Sequence, residues 1–140
     1  MPETDKPLAF FHDEPIRDTD LTFSEAVTEA RRCLNCRVPQ CRKGCPIENE
    51  IPQFIHELTT GNLGAAAAHI YHRSDLPALC GRICPREAQC EGACILNKKG
   101  QPVQIGKLER FVADAAMDAG LLPQKASKKS NGRIAVIGSG

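Results

Sequence analysis

The hydrophobic pattern of the chain begins with one short amphipathic helix. The stretch TFSE offers a capping box, with Thr22 as the N-cap and Glu25 three residues later. Apolar residues then recur at helical spacing, namely Phe23, Ala26, Val27, Ala30 and Leu34. The pattern predicts a first helix that carries Cys33 at its C-terminal end and is followed by a loop.

Three further helices are predicted by the same periodicity. The second starts after Asn49, tolerates Pro52 in its first turn and ends at Gly61. Its apolar stripe consists of Ile51, Phe54, Ile55 and Leu58. Asn62 can cap the third helix, LGAAAAHIYHR, and Gly120 closes the fourth, IGKLERFVADAAMDAG. The apolar face of the fourth consists of Leu108, Phe111, Val112 and Ala115.

These helices define one small all-α domain, which we expect to span residues 22–122. Residues 1–21 read as an irregular lead rich in Pro and Asp. Residues 78–104, between the third and fourth helices, also read as irregular chain. His69 and His72, three residues apart on the third helix, are a possible metal pair, but no third ligand is evident, so surface or core-edge roles are favoured.

The C-terminal part of the chain has a different pattern. Residues 123–132 read as an exposed linker, and residues 133–140 open with RIAVIG, a β-branched run typical of a buried strand. The final GSG is the beginning of a G-x-G-x-x-G turn, with Gly138 and Gly140 as the expected cofactor-binding glycines. We therefore expect a truncated first strand of a Rossmann-type domain, at the front of a longer protein.

Composition changes this picture by drawing attention to the cysteines. The chain has 140 residues, of which 41% are hydrophobic, with five Phe, one Tyr and no Trp. Such a chain buries only a modest core, so its eight cysteines are the expected source of additional stabilisation. The first residues lack a signal peptide, and no apolar run approaches the ~18 residues of a membrane span. We expect a soluble cytoplasmic protein, in which clustered thiols more often bind metal than pair.

Charge is unevenly distributed although its net value is only +1. Residues 1–30 carry eight acids and two bases, whereas residues 31–45 carry five bases and no acid. Residues 121–140 carry four bases and no acid, which invites a nucleic-acid interpretation. Aromatic side chains for stacking are nearly absent, and the central positive charge lies among the cysteines. Nucleic-acid binding is therefore disfavoured.

The cysteines fall into two groups, each of which contains a Cys-Pro pair. The first group reads C-x2-C-x4-C-x3-C-P and consists of Cys33, Cys36, Cys41 and Cys45. The second reads C-x3-C-P-x4-C-x3-C and consists of Cys80, Cys84, Cys90 and Cys94. The first group places four thiols within thirteen residues, and the basic residues around it would fit the net negative charge of a thiolate-ligated iron–sulfur cluster.

Three kinds of cysteine framework compete. Disulfides suit small secreted domains, but no signal segment is present and the layout is helical. Structural zinc is bound by two C-x2-4-C knuckles, which does not readily explain four thiols in one short run. In iron–sulfur proteins a short loop wraps three ligands of a [4Fe–4S] cluster, and a fourth Cys beside a proline commonly reaches another cluster. The iron–sulfur interpretation is favoured, with two [4Fe–4S] clusters.

Three segments carry a resemblance to a known family: RCLNCRVPQCRKGCPIENEIPQFI, LCGRICPREAQCEGAC and IGKLERF. Together they resemble the N-terminal domain of the glutamate synthase small subunit, which also opens dihydropyrimidine dehydrogenase and the large subunit of NADH-dependent ferredoxin:NADP oxidoreductase. The resemblance covers the chain from about residue 24 to its end. It implies an α-helical ferredoxin domain with two [4Fe–4S] clusters, followed by an FAD- and NAD(P)H-binding region.

The resemblance also implies a ligand set that crosses between the two cysteine groups. One cluster would be held by Cys33, Cys36, Cys41 and Cys94. The other would be held by Cys45, Cys84, Cys90 and Glu109. Cys80 would then be a nearby thiol not bonded to iron, although Cys80 as the eighth ligand, with Glu109 as a solvated helix charge, is the alternative.

The implied function is electron transfer in an NAD(P)H-linked flavin oxidoreductase. Electrons would pass through the clusters between the flavin of the downstream region and a larger catalytic subunit or domain, and no residue here need act as an acid or base. The competing hypothesis is a non-redox helical interaction module, stabilised by zinc or without metal.

Overall fold

The computed structural model of the protein describes residues 21–121 and, beyond them, residues 135, 137 and 138. Six α-helices follow one another along the chain: α1 Phe23–Ala30, α2 Gln40–Gly44, α3 Ile51–Thr59, α4 Leu63–Tyr71, α5 Pro77–Ile83 and α6 Ile105–Asp118. Two 3₁₀ turns, Arg86–Ala88 and Ile95–Lys99, lie between α5 and α6. The described part of the chain contains no strand, so the all-α prediction is confirmed there. None of its helices has the length and apolar character that crossing a membrane requires.

Helix α1 begins as the sequence predicts and ends earlier. The Thr22 N–H donates to Glu25 Oε2 at 2.8 Å, and the Glu25 N–H donates to Thr22 Oγ1 at 3.3 Å, which completes the capping box. The helix ends at Ala30, so Cys33 lies in the following turn, with its N–H bonded to the Ala30 carbonyl. The expectation that Leu34 continues the apolar stripe is wrong, because this side chain is 61% exposed.

The core lies where α3, α4 and α6 pack together. The predicted stripe of α3 and the predicted apolar face of α6 are both buried, and Asn62 caps α4 by accepting the Ala65 N–H at 3.1 Å. Helix α1 joins this core through Phe23, whose ring centroid lies 6.3 Å from that of Phe111. Burial of these side chains, at roughly 1.5–3 kcal/mol each, stabilises the helices against one another.

The segment 78–104, expected to be irregular, contains most of α5 and both 3₁₀ turns. The buried side of α5 consists of Pro77 and Gly81, which give no hydrophobic signal. A Cβ at Gly81 would lie 2.8 Å from the Gly106 carbonyl oxygen and 2.8 Å from Arg110 Cβ. Helix α5 therefore forms by close backbone approach to α6, which periodicity does not reveal.

A buried ion pair fixes α5 on α6. Arg82 Nη2 donates to Asp114 Oδ2 at 2.5 Å, and the Asp114 side chain is only 3% exposed. Arg82 also donates to the Ala78 carbonyl at 2.6 Å, within its own helix. Because a buried carboxylate without its cation is strongly unfavourable, the pair defines how α5 is oriented on α6.

The two cysteine groups meet at Gly44. A Cβ at this position would lie 2.7 Å from Ala93 Cβ and 2.8 Å from the Gln89 carbonyl oxygen. Only a residue without a side chain allows α2 to approach the 89–93 segment this closely. The approach brings the first cysteine run into contact with the second.

The carboxylate of Glu50 joins the start of α3 to the end of α4. Its two oxygens lie 2.6 Å from His69 Nδ1 and 3.0 Å from His72 Nδ1. The hydrogen bond with His69 lowers the pKa of Glu50 below its ordinary value, and burial of the carboxylate opposes this. The hydrogen bond with His72 and the charges of both histidines lower the pKa further. His69 thus lies at the edge of the core and His72 at the surface, the roles that the sequence favours.

The prediction of a buried strand at 133–137 lies largely outside the described residues. Ala135 and Ile137 are described and are exposed in this chain. Gly138 is described with a φ of +81°, a conformation that favours glycine, whereas Gly140 is not described. The strand and its phosphate-binding turn therefore stay predictions.

We predict that Gly44→Ala lowers the free energy of unfolding by about 1–3 kcal/mol, because the added methyl group overpacks the contact between the cysteine runs. Urea unfolding of the anaerobically purified protein measures this change. The control is Gly64→Ala in α4, where the nearest atom to the new Cβ is Asn62 Oδ1 at 3.9 Å and a gain of up to about 1 kcal/mol is expected. Equal effects of the two substitutions would contradict the close approach.

We predict that Glu50→Gln reduces stability at neutral pH by up to about 1 kcal/mol. Because the folded state lowers the pKa of Glu50, its contribution is present above the ordinary value of 4.5 and is lost as pH falls through the lowered value. The difference between the variant and the parent protein should therefore vanish in acid, as urea titrations at several pH values measure. Glu57→Gln, in the same helix, serves as the control, and a difference that persists at low pH would exclude this carboxylate as its source.

Candidate metal centre

Four of the predicted ligands, from both cysteine runs, are near neighbours. They are Cys33 after α1, Cys36 in the following loop, Cys41 in α2 and Cys94 at the start of the second 3₁₀ turn. Burial raises the pKa of Cys33, and the charges of Cys36 and Cys94 raise it further, whereas the Asn35 N–H lowers it. Asn35 has a φ of +45°, which turns the chain between the first two thiols. Burial also raises the pKa of Cys41 to about 11, with added effects of the other three thiols. We call these four residues the first donor set.

A second group of donors surrounds a cavity of ≈ 110 Å³. The donors that line it are Cys45, Cys80, Cys84, Cys90 and Glu109. Burial raises the pKa of Cys84, and the neighbouring charges of Cys80, Glu109 and Cys45 raise it further. Burial raises the pKa of Cys90 to about 12, with added effects of Glu91, Cys45 and Glu109. We call these five residues the second donor set, and they too come from both runs and from α6.

Glu109 lies inside this cavity rather than in solvent. Its side chain projects from α6 and the residue is only 9% exposed. Burial raises the pKa of Glu109 to about 7, although the hydrogen bond from Asn49 and the charge of Arg86 lower it. Asn49 Nδ2 donates to Glu109 Oε1 at 3.1 Å. This geometry excludes the alternative of an exposed helix charge paired with its neighbours.

Cys80 lines the same cavity, one helical turn before Cys84. Its sulfur lies 3.6 Å from the Ser74 hydroxyl, and its thiol lies within hydrogen-bonding reach of Cys84. The second set therefore offers five donors, one more than a four-ligand centre uses. Both candidates for the eighth ligand, Glu109 and Cys80, are present at the site.

Two acidic residues hold the cysteine segments against the start of α6. Glu29 Oε1 accepts hydrogen bonds from Arg32 Nη1 at 2.6 Å and from the Gln104 N–H at 2.8 Å. Glu91 Oε1 accepts the Gly106 N–H at 2.9 Å. The first contact anchors the turn that bears Cys33, and the second anchors the loop next to Cys90.

Three residues in or beside the second site were not identified from the sequence: Asn49 and Arg86, which line the cavity, and Glu91, which follows Cys90. Asn49 is 2% exposed and was recognised only as the residue before a helix. Its oxygen accepts the Glu50 N–H at 2.8 Å, which leaves its NH₂ group free to donate to Glu109. The sequence marks Arg86 and Glu91 only by their positions beside Cys84-Pro85 and Cys90.

The chemistry of the donors fits an iron–sulfur group. Thiols with raised pKa values are protonated at neutral pH unless a strongly positive centre displaces their protons, as iron does. The Nε of Arg86, at the wall of the second cavity, is buried and has no hydrogen-bond partner among the described residues, so an anionic acceptor in the cavity would satisfy it. Among the described residues, no three His, Cys, Asp or Glu side chains are placed to hold a single metal ion.

Known proteins are similar to this chain over most of its length. The small chain of NADPH glutamate synthase from Escherichia coli K12 is 39% identical over 121 residues, which cover 84% of this chain and 26% of that protein. The NAD-dependent dihydropyrimidine dehydrogenase subunit PreT from Escherichia coli K12 is 35% identical over 115 residues, covering 82% of this chain and 28% of that protein. The glutamate synthase small chain of Azospirillum brasilense is 35% identical over 114 residues, covering 80% and 24%.

The chain therefore spans about a quarter of the length of these relatives, which are oxidoreductases. The family described as dihydropyrimidine dehydrogenase domain II, 4Fe-4S cluster, matches residues 14–121. This range contains all eight cysteines and Glu109. The protein belongs to this family of [4Fe–4S] iron–sulfur domains.

Proposed function

We propose that this domain relays electrons through two [4Fe–4S] clusters in an NAD(P)H- and flavin-dependent oxidoreductase. The observation that carries the proposal is the presence of two donor sets, each assembled from both cysteine runs, within one helical domain. When bound, the clusters would supply one-electron redox chemistry. The chain itself holds them, excludes water and adjusts their potentials.

In this proposal the first donor set, Cys33, Cys36, Cys41 and Cys94, holds the first cluster. The second cluster is held by Cys45, Cys84, Cys90 and Glu109. Glu109 is preferred to Cys80 because Asn49 holds one carboxylate oxygen and the charge of Arg86 favours the ionised form. Burial in this cavity still disfavours the ionised carboxylate, and iron would offset that cost.

The wider protein is part of the same proposal. Residues 22–122 form the iron–sulfur domain, residues 123–132 a linker, and residues 133–140 the start of an FAD-binding domain with Gly138 and Gly140 in its first turn. The relatives are about four times as long as the matched region, which leaves room for flavin- and nucleotide-binding regions. Electrons would pass between that flavin and a partner subunit or domain.

We predict that the intact protein, purified anaerobically, is brown and contains about eight iron and about eight inorganic sulfide per chain, as two cubes require. Iron, zinc and sulfide analysis measures this. About four iron and four sulfide would contradict the second cluster. A colourless protein with about one zinc and no sulfide would support the helical interaction module instead.

We predict that Glu109→Ala loses the second cluster, and with it about half of the iron and sulfide, because one ligand is missing. Cys80→Ser should keep both clusters, since its thiol is not bonded to iron in this proposal. Glu87→Ala, at an exposed position in the second cysteine run, is the control and should keep both. Metal analysis with electron paramagnetic resonance (EPR) of the reduced protein measures the result, and loss of a cluster only in Cys80→Ser would reverse the assignment.

A further inference from the structure

The cationic side chain of Arg86 lies at the second site but is not one of the proposed ligands. Arg86 lines the cavity with Cys84, Cys90 and Glu109, and its Nε is buried with no hydrogen-bond partner in the described part of the chain. A buried donor without an acceptor destabilises the folded protein, and more so when the donor is charged. The N–H group is thus available to an acceptor within the cavity.

The backbone around Arg86 is firmly held. Its N–H donates to the Cys84 carbonyl at 2.9 Å. Its own carbonyl accepts three N–H groups, from Gln89 at 3.1 Å, from Glu91 at 3.0 Å and from Gly92 at 3.1 Å. Because the main chain is fixed on both sides, the side chain leaves from a defined point beside the Cys84 ligand.

The guanidinium group lies across Gly106 in the first turn of α6. A Cβ built on Gly106 would collide with Arg86 Cδ and would lie 2.6 Å from Nη1 and 2.8 Å from Nε. Gly106 precedes Glu109 by three residues, so both lie on one face of α6. The missing side chain at Gly106 therefore makes the space in which Arg86 reaches the cavity.

The charges of the residues that line the cavity also favour a contact between Arg86 and a group bound there. Among the described residues that line the cavity, Arg86 is the one cation, and the others include four thiols and a carboxylate. A sulfur cluster with thiolate and carboxylate ligands adds negative charge. In a partly buried site a neighbouring cation interacts with that charge more strongly than it would in water.

We propose that Arg86 donates a hydrogen bond from Nε into the cavity to the cluster bound there and that its charge raises the reduction potential of that cluster. The proposal rests on the proposed function, since it requires a cluster in the second donor set. Hydrogen bonds to cluster sulfur and nearby positive charge both stabilise the more negative, reduced state. Arg86 thus acts on the potential of the second cluster and not on that of the first.

Arg86→Met removes both the charge and the donor while keeping an apolar side chain of moderate length. In the intact, anaerobically purified protein we expect the reduced-to-oxidised ratio of the second cluster at a fixed potential to fall at least tenfold, which equals about 59 mV for one electron. Redox titration followed by EPR measures this, with Cys90→Ser identifying the signal of the second cluster. The first cluster should be unchanged.

Arg86→Lys separates charge from geometry, and we expect it to give a smaller shift in the same direction. Gly106→Ala should also lower the potential of the second cluster, because the new methyl group displaces the guanidinium while every charged group is kept. Alanine is the better helix former, so any effect does not come from a weakened α6. Its control is Gly64→Ala in α4, which should leave both potentials unchanged.

A direct measurement decides the matter even if Arg86→Met fails to retain its second cluster. We expect pulsed EPR of the reduced protein labelled with ¹⁵N in the arginine guanidinium to show nitrogen coupling to the second cluster, and Arg86→Lys to abolish it. Absence of coupling in the parent protein, or unchanged potentials in fully loaded Arg86→Met and Gly106→Ala, would overturn the role of Arg86. Protein without iron and sulfide would instead overturn the proposed function.

Discussion

Sulfur and carboxylate donors lie close together in this small helical domain, and in their ionised forms they need a positive charge among them. Burial raises the pKa of Cys41 to about 11, of Cys90 to about 12 and of Glu109 to about 7, so the fold itself favours their neutral forms. Bound iron reverses this preference, and its binding energy then becomes part of the folding energy. The cofactor and the helical core thus stabilise each other, which suits a chain with few aromatic residues.

The crossed use of the two cysteine runs makes the domain a single unit. Cys94 belongs to the second run and lies with the first donor set, whereas Cys45 belongs to the first run and lies with the second. Gly44 permits this exchange by allowing the backbones to touch. Because each set needs both runs, loss of contact between the runs would weaken both sets together.

Sequence reasoning predicted the elements that local chemistry determines. The capping box at Thr22, the stripe of α3 and the apolar face of α6 are all encoded by neighbours in sequence, and all three are present. Helix α5 was missed because its packing relies on Pro77 and Gly81, which carry no apolar periodicity. Asn49 and Arg86 were missed because the α6 residues that they contact are distant in sequence. Asn49 meets Glu109 and Arg86 meets Gly106 only in the folded chain. The resemblance supplied Glu109, whose burial the helical pattern alone leaves undecided.

The ion pair between Arg82 and Asp114 has a consequence for sulfur chemistry although neither residue carries sulfur. Cys80 and Cys84 are separated by one turn at α5 and point to the cavity, whereas Leu76, Leu79 and Ile83 are exposed. The rotation of this short helix about its own axis decides whether the cysteines or the aliphatic side chains face the cavity. By fixing that rotation, a guanidinium and a carboxylate that do not line the cavity determine that thiols rather than aliphatic side chains are presented to the incoming metal.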